Sequence, residues 1–304
     1  MGMPLSSLAS DFFSLSALNE ADKKPLGSLH YTKSTDDIFL AYRPYLPEKA
    51  SAVFVFFHGG GAHSGLSYHH LGIDLRDNFN IAVYMPDIRG HGGSEGARGD
   101  APNKQQVWAD INTIIQQARL RYPQLPIFVG GHSSGAGLAL NYSSWSEREN
   151  IDGYVFLAPY FGYKSETNHD DNAANRVAFS DVNTLKFVFN SMSFGLLAGH
   201  DKAVMFNFPK QVLDKNPEIV TFNTVNMSNA LTPSSPDSQL ADITQFGLWI
   251  GEQDEAFDAD KVTAFAQEHA GKDRHEIKML KSENHFSIIL SGAKYIGPWL
   301  AQRR

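Results

Sequence analysis

Two runs of the chain are apolar without a break, Ala52 to Phe57 (AVFVFF) and Ile81 to Met85 (IAVYM). A strand with one face in water alternates apolar and polar positions, so unbroken runs of this length mark strands covered on both faces, as in a parallel sheet between helix layers. An antiparallel lead-in is predicted at Leu29 to Tyr31 and Ile38 to Tyr45, and further strands at Ile127 to Val129, Tyr154 to Leu157, Phe246 to Ile250 and Glu276 to Leu280. Val107, Ile111, Ile114, Ile115 and Ala118 form one stripe of a helix over Lys104 to Arg121, which Pro123 ends. Helices are also predicted over Ser134 to Trp145, Asp258 to Ala270 and Ser287 to Gln302. The order β-α-β-α-β predicts a doubly wound α/β sandwich.

The pattern lapses between residues 159 and 240, where Asn, Ser and Pro are frequent and no run resembles the earlier strands. So long a structureless stretch does not fit inside a compact domain, and an inserted subdomain with its own helices is expected. Val182, Leu185, Phe189 and Met192 keep helical spacing, while Phe187, Val188, Phe194, Leu196 and Leu197 make that helix apolar on more than one face. One face is expected to pack on the body and another to line a pocket. The predicted organisation is an N-terminal extension (1–25), a body (26–158 and 241–304) and an insertion (159–240). In the extension, Phe12, Phe13, Leu15 and Leu18 suit a short amphipathic turn docked on the body. Asp11 interrupts its apolar run and no basic region precedes it, so no signal peptide is read and a cytoplasmic location is expected.

Composition narrows the function classes. With 304 residues, 42% hydrophobic and 19% charged, the chain can bury a large core and has no disorder signature. No stretch approaches the roughly 18 consecutive apolar residues of a membrane-spanning helix, so no transmembrane segment is expected. The net charge of −7 argues against a nucleic-acid partner, which demands surplus Lys and Arg. The absence of cysteine removes disulfides, thiolate metal sites and a cysteine nucleophile together.

Gly131-His132-Ser133-Ser134-Gly135 fits G-x-S-x-G and stands between a predicted strand and a predicted helix. A turn that sharp strains the serine, and glycine two positions before and after lets strand and helix pass without Cβ clashes. Ser133 is therefore the candidate nucleophile; Ser134 lacks the flanking pair, since its outer positions are His132 and Ala136. The Ser134 N–H, at a helix start, can point at a developing oxyanion. A second such amide is expected from His58-Gly59-Gly60-Gly61, after the strand ending at Phe57, with Gly60 as donor.

Functional groups of a parallel α/β sheet gather at the carboxyl ends of its strands. His285 follows the last predicted strand and is the candidate general base; His275 precedes that strand, and His269 sits on the apolar stripe of a helix. The orienting acid should follow the strand Phe246 to Ile250, where Glu252, Asp254, Glu255 and Asp258 compete. Glu252 lies too near the strand end and Asp258 suits an N-cap, so Asp254 is chosen to accept from the imidazole Nδ1–H. His70 and Asp74 have an i, i+4 spacing that suits a metal, but no third ligand is visible, and neither metal nor cofactor is expected. His169-Asp170-Asp171 and His200-Asp201 read as solvated loop residues.

With these residues assembled, the chain resembles the α/β-hydrolase family that groups monoacylglycerol lipases, lysophospholipases and the so-called serine aminopeptidases. The likeness rests on FFHGGGAHSG (56–65), PDIRGHGGSEG (86–96) and GGHSSGAGLAL (130–140), with WIGEQDEAFDA (249–259) and SENHF (282–286) in support. It implies an α/β-hydrolase fold, a mostly parallel central sheet with helices on both faces, and an inserted helical cap over 159–240 that sets substrate choice. It matches Gly60 to an oxyanion amide, Asp254 to the acid and His285 to the base. Asp87, Arg89, His91 and Ser94 fall in its R-G-H-G-x-S turn, taken as a structural loop. The implied activity is acyl-enzyme hydrolysis of a small ester with an apolar acyl group: a monoacylglycerol, a lysophospholipid or a medium-chain ester. Thioester or amide hydrolysis, acyl transfer and non-catalytic ligand binding are the alternatives. In the cap, Phe187, Phe189, Met192 and Phe194 are the candidate substrate-binding residues, with Met205, Phe206 and Phe208 adding to its apolar content.

Overall fold

The computed structural model describes residues 24–169, 179–272 and 274–303. The amphipathic turn expected at Phe12 to Leu18 lies outside them. The first half of the body contributes β1 (His30–Lys33), β2 (Phe39–Tyr45), β3 (Ala52–Phe57), α1 (His69–Phe79), β4 (Ile81–Pro86), α2 (Lys104–Arg121), β5 (Ile127–His132), α3 (Ser134–Ser143) and β6 (Gly153–Leu157). Next come β7 (Ser180–Val182), α4 (Thr184–Met192), β8 (Lys202–Phe206), α5 (Lys210–Lys215) and β9 (Phe222–Thr224). The chain continues through α6 (Val225–Leu231), α7 (Pro236–Ala241), β10 (Gln245–Gly251), α8 (Ala259–His269), β11 (Arg274–Leu280), α9 (Ser287–Ser291) and α10 (Ala293–Gln302).

Eight strands form one sheet in the order β1-β2-β4-β3-β5-β6-β10-β11. β1 and β2 join it antiparallel, and the pairs from β4 to β11 are parallel. Every residue of β3 and β4 is buried, as their unbroken apolar runs require. α1 packs against α9 and α10, whereas α2, α3, α6, α7 and α8 form a connected set of contacts. Helix α2 starts where the Asn103 side chain accepts from the Gln106 N–H at 2.9 Å and ends at Tyr122, ahead of Pro123. The predicted last helix is two, α9 and α10, meeting at Gly292.

Helix α1 was not foreseen. It carries His70 and Asp74; His70 is buried with His69, Leu71, Gly72 and Leu75, and Asp74 pairs with Lys24. Among the described residues no three His, Asp or Glu side chains cluster as a metal site.

The segment expected to be helical also holds a three-stranded antiparallel sheet, β7-β8-β9, and Val182 belongs to β7 rather than to α4. Strands of three to five residues are too short to reveal alternation. This sheet is latched to the body: Val220 N–H donates to Gly61 C=O at 2.8 Å, Thr224 N–H to Gly99 C=O at 2.9 Å, and His200, expected to be merely solvated, pairs with Asp100 at 2.7 Å. Met227 of α6 and Leu240 of α7 are fully buried in the main core, so core packing shows no break at residue 240.

Candidate active site

Ser133 lies between β5 and α3 with φ 55 and ψ −121, a backbone conformation that a side chain rarely adopts. The neighbouring glycines are required by contact. A β-carbon on Gly131 would sit 2.4 Å from the Gly135 carbonyl carbon, and one on Gly135 2.4 Å from the Phe57 carbonyl oxygen. The end of β3 thus runs directly against the elbow. The Ser133 amide donates to Leu157 C=O at 3.0 Å, which ties the strained residue to β6.

The loops after β10 and β11 meet at an acid–imidazole pair. Asp254 Oδ2 accepts from His285 Nδ1 at 2.8 Å, and its Oδ1 accepts from the Ala256 and Phe257 amides at 2.9 and 2.8 Å. Both side chains are buried. A proton on Nδ1 leaves Nε2 with a lone pair, the tautomer a general base needs. Ser133 and His285 line one cleft. No hydrogen bond joins the serine hydroxyl to the ring among the described residues, and such bonds are commonly long until substrate tightens them. Of the competing acids, Glu252 donates its amide to Leu280 C=O, Glu255 takes the His285 amide, and Asp258 caps α8 by accepting from the Lys261 N–H. His275 stands near the start of β11 and stacks on Phe246, and His269 packs at a tilt against Phe265 in α8.

Gly60 lies on the loop after β3 and lines the same cleft, and Ser134 opens α3. A directed hydrogen-bond chain links this loop to His285. Gly59 N–H donates to the Tyr68 hydroxyl at 2.9 Å, that hydroxyl lies 3.0 Å from His132 Nδ1, and His132 Nε2 lies 2.8 Å from the His285 carbonyl. A carbonyl only accepts, so Nε2 carries the proton and Nδ1 accepts from Tyr68. The ring is neutral, since burial, reinforced by the neighbouring imidazole of His285, holds its pKa well below the ordinary value.

The turn at 87–94 packs rather than reacts. Arg89 bonds Asp110 and Asp36, Asp87 accepts from the Ser64 and Gly93 amides, and Ser94 Oγ donates to Asp87 C=O.

The family described as serine aminopeptidase, S33 (Hydrolase_4) matches residues 48–286, more than half of the chain. The chain belongs to this family. It is 34% identical over 127 residues to an abhydrolase domain-containing protein of Dictyostelium discoideum, covering 41% of this chain and 13% of that protein. It is 31% identical over 136 residues to human monoglyceride lipase, covering 44% of each. The chain thus spans about half or less of the length of the curated relatives it matches. A soluble variant of monoglyceride lipase from Saccharomyces cerevisiae, solved with a substrate analog, shares its α/β-hydrolase fold at TM-score 0.67 and 16% identity, covering 92% of this chain and 97% of that one.

Within this family fold, the cap residues chosen from sequence are not brought to Ser133. Phe189, Met192 and Phe194 are 61%, 74% and 95% exposed, and with the half-buried Phe187 they stand outside the cleft. The apolar face of α4 and the turn after it points outward instead. The aromatic side chains that do line the cleft are Phe179, Phe208, Phe286 and Tyr68. Phe206 closes over the Gly60 loop, its ring 2.8 Å from where a β-carbon on Gly60 would stand. Phe286 was findable as the neighbour of His285; Phe179 and Tyr68 carry no local signal.

Proposed function

We propose that the chain is a carboxylic-ester hydrolase that works through an acyl-enzyme on Ser133. The observation that carries this reading is a strained serine at a strand-to-helix elbow sharing one cleft with a histidine whose Nδ1 is held 2.8 Å from a buried carboxylate. Ser133 attacks the ester carbonyl while His285 takes its proton, Asp254 stabilises the imidazolium, and the Gly60 and Ser134 amides hold the oxyanion. Each amide lowers the barrier by about 2.7–4 kcal/mol. His285 then activates water to release the acid. Relatives named as monoglyceride lipases support a monoacylglycerol, lysophospholipid or medium-chain ester as substrate, and the aromatic lining of the cleft suits an apolar acyl group. The 159–240 insertion would set that choice through Phe179, Phe206 and Phe208.

A panel of p-nitrophenyl esters of increasing chain length tests the reading. Wild type is expected to hydrolyse them and Ser133→Ala to lose at least about 10³-fold in kcat. Equal rates in the two proteins would remove Ser133 from the mechanism.

A further inference from the structure

Every polar group of His285 except ring Nε2 is held by a side chain. Asp254 takes ring Nδ1 at 2.8 Å, His132 donates to the carbonyl at 2.8 Å, and Glu255 Oε2 accepts from the amide N–H at 2.9 Å. His285 stands on the loop between β11 and α9, where Ser282 adopts φ 61. That loop is sewn to the 252–255 turn by Glu252 N–H to Leu280 C=O and Gln253 N–H to Glu283 C=O, both at 2.9 Å. Two adjacent carboxylates therefore divide the work: Asp254 orients the ring and Glu255 holds the peptide that carries it. The proposed mechanism gives Glu255 no part. It is nevertheless partly buried beside a second carboxylate, and burial pushes its pKa upward. A charge kept in such a place calls for a specific contact, and the His285 amide is that contact.

We propose that Glu255 is a positioning residue whose reach to the His285 N–H fixes the base loop, so that the ring held by Asp254 stays aimed at Ser133. This rests on the reading of Ser133, His285 and Asp254 given above. A ring anchored only through Nδ1 swings with its loop, and a displacement of about 1 Å at a reacting group can cost on the order of 10²-fold in rate.

Three substitutions separate reach from charge. Glu255→Gln keeps the length and an acceptor oxygen but loses the charge; Glu255→Asp keeps the charge and loses one methylene of reach; Glu255→Ala loses both. Positioning predicts that kcat on a p-nitrophenyl ester stays near wild type in Glu255→Gln and falls about ten- to hundredfold in Glu255→Asp and Glu255→Ala. KM should change less than about twofold, because substrate contacts are untouched. Labelling of Ser133 by a fluorophosphonate should slow in the same order. Wild-type kcat in Glu255→Ala, or Glu255→Asp more active than Glu255→Gln, overturns the proposal. If circular dichroism shows that Glu255→Ala has not folded, the Gln and Asp variants decide the matter alone. Wild-type protein that fluorophosphonate leaves unlabelled at Ser133 would overturn the catalytic reading itself, a result distinct from a labelled enzyme indifferent to residue 255.

Discussion

At Ser133 the chain holds φ 55, a conformation that costs a non-glycine residue about 1–3 kcal/mol, and its surroundings must be built to impose it. Gly135 shows how tightly they are built. A β-carbon there meets the Phe57 and His58 carbonyl oxygens at 2.4 and 2.5 Å, and because both are backbone no rotamer change relieves the clash. Gly135→Ala is therefore expected to destabilise by about 2 kcal/mol or more in urea unfolding and to lower turnover, since the same push moves the loop that carries Gly60. A variant as stable as wild type would show that β3 and α3 have room to part. The elbow that carries Ser133 was legible because its requirement is local: two glycines at fixed offsets and a strand before a helix. His285 was legible from strand edges. Asp254 was chosen from sequence as the partner of Nδ1, but the contact of its neighbour Glu255 with the His285 N–H at 2.9 Å was not foreseen, because no local signal marks a carboxylate that bonds a backbone amide thirty residues away.

Among elements, those buried on both sides were the easiest to foresee. β3 and β4 have no polar position, and α2 shows one apolar stripe with its cap and its stop. Helix α4 misled for a physical reason: periodicity identifies an apolar face but not what covers it, and here Leu185, Phe189 and Met192 face outward. Helix α1 escaped notice because Gly72 and a run of polar residues dilute its stripe to Leu71 and Leu75. The turn after β4 is held to α2 by one buried cation. Arg89, 3% exposed, reaches both Asp110 oxygens at 2.8 and 2.9 Å and also pairs with Asp36. Arg89→Met should cost about 3–5 kcal/mol, because Asp110 is left as an uncompensated buried carboxylate. The drop would appear as a lower urea midpoint at unchanged slope. A loss under about 1 kcal/mol would mean that the pair is solvated and the turn held by other contacts.

For the whole molecule the sheet edge that carries the candidate site is also where acid should first act. His58 ends up beside β3, His91 in the turn after β4 and His132 at the end of β5, all 2% exposed or less. Burial holds each below the ordinary histidine value: His91 down to about 4, His58 to about 3 with help from the neighbouring His91, and His132 well below it with help from His285. The unfolded chain binds protons at these rings from about pH 6.5, whereas the folded protein does not until well below it. Between those limits the unfolded state holds more protons, so stability rises with pH and is lost as pH falls below about 6.5. Three such rings give a slope of up to about 4 kcal/mol per pH unit. Calorimetry should find Tm steady above pH 7 and falling steeply from pH 6.5 to 5, a window still above most carboxylate titrations. Proton uptake on unfolding, read from buffers of different ionisation enthalpy, should approach three near pH 5 from these rings, with His63, also held down by burial, adding to it. A flat Tm across the window would mean that the rings take up protons in place, which His132 cannot do while Tyr68 donates to its Nδ1. The fall in Tm should therefore report unfolding of this edge and not protonation of His58, His91 or His132 in a standing network.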